Sequence, residues 1–207
     1  GLTLSQTGMT LHELDDSSDF GVVPVYYISD IHLEYQLELK RKSDSEIEEL
    51  VTAKVSELVE SIHDKRGIIL IGGDTAYNIE REWLFFDVLR RKIPREMFVI
   101  AVLGNHELWV GSPVKCPTYS VDEVIKKYRD GLYRLDTKIL DNALWLKYRE
   151  GYPVLLNEKD LLEASTDELS GLCSRSTLMI LGGIGFSGLD PQYNASSGLY
   201  RSTVSIK

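Results

Sequence analysis

Cysteine is scarce in this chain: only Cys116 and Cys173 occur among 207 residues. Two thiols that far apart make neither a disulfide framework nor a metal-spaced pair, and a reducing, cytoplasmic setting is the expectation. Long apolar runs are missing as well. None approaches the roughly 20 residues of a membrane-spanning helix, and no basic-then-apolar leader opens the chain, so no membrane partner is expected. Basic residues are outnumbered, with 23 Lys and Arg against 32 Asp and Glu and a net charge of −9. That balance argues against nonspecific binding of nucleic acid, whose phosphates attract basic surfaces. The argument is weaker for a site where bound cations supply local positive charge.

What is present is an ordinary globular balance, 43% hydrophobic and 27% charged, in a length that suits one well-buried core better than two. Residues 1–20 are polar, with Glu13, Asp15, Asp16 and Asp19, and read as a lead-in or edge segment before a single domain over 21–207. Gly1 in place of Met, and an Arg201–Lys207 end with no terminating signal, make both ends read as cut.

Three apolar runs read as strands: Val22 to Ser29, then Ile68 to Ile71, then Phe98 to Leu103. Between them lie helical patterns. Ser43 and Glu46 have the spacing of a capping box. Ile47, Leu50, Val51, Val55, Leu58, Val59 and Ile62 follow on one helical face. A second helix is expected from about Glu80 to Arg91, with Trp83, Leu84, Val88 and Leu89 inward and Pro94 as its stop. This β-α-β-α-β order implies parallel strands joined by crossovers. Farther on, Ser120 to Asp130 reads as a helix. Ile139-Leu140 and Ala143 to Tyr148 read as strands joined by an Asp141-Asn142 turn. Lys159 to Leu172 reads as a helix and Thr177 to Leu181 as a strand.

Each of the first three strands runs directly into polar residues: Ser29-Asp30-Ile31-His32, Gly72-Gly73-Asp74, and Gly104-Asn105-His106-Glu107. In open α/β sheets, ligand crevices form at the carboxyl ends of strands, and mixed oxygen and imidazole donors suit divalent metals. Asp30 and His32 are two apart, so in extended backbone their side chains share a face. Taken singly, each segment is also what a turn with satisfied polar caps looks like. Three in order at three strand ends point to a metal site.

Together these blocks resemble the calcineurin-like metallophosphoesterase family, whose pattern is Asp-x-His, Gly-Asp, Gly-Asn-His-Asp/Glu, a later His, and Gly-His-x-His. The resemblance implies an α/β fold, a layered sandwich of mixed β-sheets flanked by helices. It also implies hydrolysis of a phosphate ester by a metal-activated water at a dinuclear site of divalent ions (Mn, Fe, Zn or Co). Asp30 and His32 would bind the first ion, Asp74 would bridge both, and Asn105 would bind the second. His106 would stabilise the transition state or protonate the leaving oxygen, with Glu107 orienting it.

The match stops there. The four histidines are His12, His32, His63 and His106, so the family's later His and its Gly-His-x-His have no counterpart. The resemblance therefore implies an incomplete domain, its remaining ligands supplied by a segment beyond Lys207 or by a partner chain. The alternative is a protein-binding scaffold that keeps the fold without catalysis. Gly183-x-Gly185-x-x-Gly188 imitates a dinucleotide fingerprint, but Pro191 and Asn194 oppose the required helix, and no acidic residue follows Asp190. Substrate choice is expected from loops 110–120 and 189–200.

Overall fold

Strand alignment sets everything that follows. The computed structural model describes residues 3–5, 10–14, 23–76, 78–108 and 121–184. It divides the chain into two compact units, the second beginning at Leu140. The first unit contains, in chain order, β1 (Thr3–Ser5), β2 (Thr10–Leu14), β3 (Val25–Ile28), α1 (Leu33–Gln36), α2 (Asp44–Glu60), β4 (Ile68–Ile71), α3 (Ile79–Lys92), β5 (Phe98–Ala101), α4 (Val121–Arg134) and β6 (Thr137–Ile139). Its six strands lie side by side in sequence order. Strands β3 to β6 pair in parallel, and β1 and β2 extend the sheet antiparallel from the β3 side.

Ile68, Ile69 and Ile71 are all buried, which is why β4 reads as an unbroken apolar run rather than an alternating one. β-Branched side chains suit that pleated, covered surface. Registration is even: Ile28 faces Ile71, and Ile71 faces Ala101. The three following loops consequently leave the sheet at one level.

The connecting helices start where their caps dictate. The Ser43 hydroxyl accepts the Glu46 N–H at 3.3 Å while the Glu46 carboxylate accepts the Ser43 N–H at 2.8 Å. These two bonds satisfy donors that no helical turn could reach. Ile47, Val51 and Val55 of α2 are buried, and α2 packs on α3. Asn78 caps α3, its side-chain oxygen accepting from Glu80 and Arg81. The basic last turn, Arg90 to Lys92, suits the negative end of the helix dipole. Arg90 also donates to the Met97 and Pro94 carbonyls, fixing the lead into β5. The inward face of α3 differs from the sequence expectation. Phe85 and Phe86 are fully buried with Val88 and Leu89, whereas Trp83 and Leu84 are only half-buried. Glu82 lies on that buried stripe too.

The second unit contains β7 (Ala143–Tyr148), β8 (Val154–Leu156), α5 (Glu158–Glu163), α6 (Thr166–Arg175) and β9 (Ser176–Gly182). Its three strands run antiparallel with β7 central. Asp141-Asn142 therefore does not close a hairpin, because β6 pairs with β5 and β7 pairs with β8 and β9. The single helix expected over Lys159 to Leu172 is two. Ala164 is extended, and Ser165 and Glu168 form a second capping box of their own. The family's mixed sheets with flanking helices are thus present as an α/β fold. Among the described residues no helix is long and apolar enough to cross a membrane. Loops 110–120 and 189–200 and the Gly185 and Gly188 positions lie outside the described residues.

Candidate metal centre

The loops that follow β3, β4 and β5 are stitched together by backbone hydrogen bonds. Gly72 N–H donates to the Ile28 carbonyl at 2.7 Å, Asp30 N–H to Gly73 at 3.0 Å, and His32 N–H to Asp74 at 2.9 Å. Leu33 N–H donates to Thr75 at 2.9 Å and Val102 N–H to Ile71 at 3.0 Å. The ladder of the sheet thus continues past its strands.

This continuation forces unusual backbone. Asp30, His32 and Asp74 have φ of 55°, 46° and 55°, and Gly73 has φ of 89°. Left-handed conformations of non-glycine residues cost of order 1–3 kcal/mol and persist only where surroundings impose them. Asp and His tolerate the region better than bulkier types. The extended geometry expected for Asp30 and His32 is therefore replaced by two left-handed residues. Even so, Asp30 Oδ1 lies 3.8 Å from His32 Nε2. Gly104 is required for contact rather than for its torsion, since a Cβ there would run into the Asp74 carboxylate.

One buried carboxylate holds two of the loops. Glu107 is 1% exposed. Its Oε2 accepts the Gly104 N–H at 2.7 Å and the Asp74 N–H at 3.0 Å, and its Oε1 accepts the Thr75 N–H at 2.6 Å. Asp74 returns the link, its Oδ1 accepting the His106 N–H at 2.9 Å. Burial and the nearby Asp74 push Glu107 up to about 7, while its backbone N–H donors pull it down.

At the mouth of these loops, ligand atoms of His32, Asp74 and His106 all lie within 4.8 Å of one another, each side chain half-buried. The two imidazoles meet edge to face with centroids 4.5 Å apart. Burial lowers the His106 imidazole from its ordinary value, with Asp74 opposing the shift, so the neutral ring is favoured. One carboxylate and two imidazoles fit a borderline divalent ion such as Mn, Fe, Zn or Co.

The structure thus groups three of the six residues singled out from sequence. Asp30 stands beside His32 with its side chain 68% exposed, outside that group. Asn105 is half-buried in the same turn as His106. Glu107 is buried beneath, bonded to backbone. Sequence reasoning did not find Glu82, whose buried carboxyl meets that of Glu107. Its signal was available: Glu82, Phe85, Phe86 and Leu89 are all buried at the i, i+3, i+4, i+7 spacing of one helix face.

Compared with models of known protein families, residues 23–188 match the calcineurin-like phosphoesterases. No curated protein and no solved structure matches the chain significantly.

Proposed function

Because this chain belongs to the calcineurin-like phosphoesterase family, we propose that it hydrolyses a phosphate ester with divalent ions held by the loops after β3, β4 and β5. The observation that carries this reading is the convergence of His32, Asp74 and His106 at those strand ends. Asp30, His32 and Asp74 would hold one ion, with Asp74 and Asn105 supplying donors to a second. When bound, such ions supply an activated water and charge stabilisation for the phosphoryl group.

The chain's own residues do the rest. The carbonyls of Gly73 and Asp74 fix the backbone of Asp30 and His32, so the donors need not be organised on binding. Glu107 locks the Asp74 and Gly104 amides, setting the path of the turn that presents Asn105 and His106. The His106 ring, next to His32 yet half-exposed, would give a proton to the departing ester oxygen. A group whose folded value is lowered must first be protonated to act so, which favours the acid side of any rate profile.

Hydrolysis of p-nitrophenyl phosphate tests the proposal against the non-catalytic scaffold. Slow release of nitrophenolate is expected with Mn²⁺, abolished by a chelator. Turnover that survives chelation would refute the metal role. No turnover at any Mn²⁺ concentration would favour the scaffold.

A further inference from the structure

Beneath the site lies a layer of buried acid that the proposed chemistry does not use. Glu82 on α3 is 1% exposed and Glu34 at α1 is 7% exposed. Glu34 is compensated: its Oε1 accepts the Asn78 N–H at 3.1 Å and lies 3.6 Å from the Arg81 guanidinium. Glu82 is not. One carboxyl oxygen, Oε2, is buried and meets no N–H or O–H donor. What its carboxyl does meet is the Ala76 backbone N–H and the carboxyl of Glu107. Tyr128 of α4 is also close enough to feel Glu34, Glu82 and Glu107.

Two carboxylates in contact away from water cannot both be ionised, because each charge would be unpaired and facing its like. Glu107 accepts three backbone N–H bonds, so its oxygens are already engaged as acceptors. A bond between the two carboxyls therefore uses a proton on Glu82, whose buried Oε2 otherwise meets no donor. A neutral Glu82 donates to Glu107 through one oxygen and accepts from Ala76 through the other. Its orphaned oxygen is then explained.

We propose that Glu82 is a positioning residue for the metal site: its carboxyl bonds Glu107 and so fixes the clamp that holds the Asp74 and Gly104 backbones. The helix α3 is thereby tied to two of the three ligand loops. A carboxylate free to rotate could keep one backbone donor and drop the others. With Glu82 in place, the Glu107 plane is set by a contact from outside the loops themselves. This inference rests on the phosphoesterase reading only for its purpose, since the clamp itself is a property of the metal-free chain.

Glutamine at position 82 reproduces both bonds, its amide N–H₂ donating to Glu107 and its carbonyl accepting from Ala76. Methionine fills similar space and makes neither. Amide hydrogen exchange by NMR, without metal, reads the clamp directly. In Glu82→Met, the Asp74, Thr75 and Gly104 amides should exchange roughly tenfold faster or more, the scale of a lost buried hydrogen bond, while Ile100 in β5 changes less. Glu82→Gln should keep these amides within about threefold of wild type and retain Mn²⁺ affinity that Glu82→Met loses. If Glu82→Met does not fold, Glu82→Asp, which withdraws the carboxyl by one methylene, should accelerate the same three amides selectively. Equal acceleration at all amides, or Glu82→Gln behaving like the disruptive variant, would overturn the proposal. Wild type that binds no Mn²⁺ but shows the selective exchange pattern would refute the metal reading and leave the clamp standing.

Discussion

Asp74→Asn is expected to weaken divalent-ion binding by more than about 100-fold while the protein stays folded. Even the partners that merely orient a ligand change metal affinity by roughly 10–100-fold when lost, and Asp74 is the only carboxylate in the His32, Asp74, His106 group. Asparagine is the right replacement because it tolerates the left-handed backbone at φ 55°. Its side-chain oxygen can still accept the His106 N–H that Asp74 Oδ1 accepts at 2.9 Å. The substitution thus removes charge and leaves shape. If Asp74 bridges two ions, both should disappear together on elemental analysis after dialysis. Loss of one equivalent with the other retained would give Asp74 a single-ion role. Unchanged metal content would exclude it as a ligand.

His106→Ala is the second large expectation, and it separates two roles that the geometry keeps close. The ring belongs to the potential ligand group and also packs on His32. If His106 delivers a proton to the leaving oxygen, the variant should retain its metal and lose roughly 10²–10⁴-fold in turnover of alkyl phosphates. The loss should shrink on p-nitrophenyl phosphate, whose leaving group needs little protonation. An equal loss on both substrates would assign His106 to stabilising phosphoryl charge. Lost metal would make it a ligand, and unchanged turnover on both would remove it from the chemistry.

The strands and the three loops are legible in the sequence for a physical reason. A parallel strand covered on both faces must be apolar throughout, so Ile68 to Ile71 stands out and the residues after it are placed at the sheet's edge. The Ser43 and Glu46 cap is equally plain. The left-handed torsions of Asp30, His32 and Asp74 are not, because Asp and His accept that backbone without announcing it, and the imposing carbonyls lie on other loops. Glu82 is hidden differently. An acid in the first turn of a helix reads as favourable to the dipole, and only its place in the stripe with Phe85, Phe86 and Leu89 marks it as buried. The break between α5 and α6 is written in Ser165 to Glu168, a capping motif inside a helical pattern. That β6 and β7 belong to different sheets depends on distant partners, which no local pattern encodes.

Mn²⁺-induced paramagnetic broadening of the histidine ring signals tests the metal centre most directly, because the chain carries only four such rings. Added well below stoichiometry, the ion should broaden His32 and His106 first and leave the exposed His63 sharp. Broadening that begins at His63, or that touches His63 as strongly as His32 and His106, would contradict a metal centre at the ends of β3, β4 and β5.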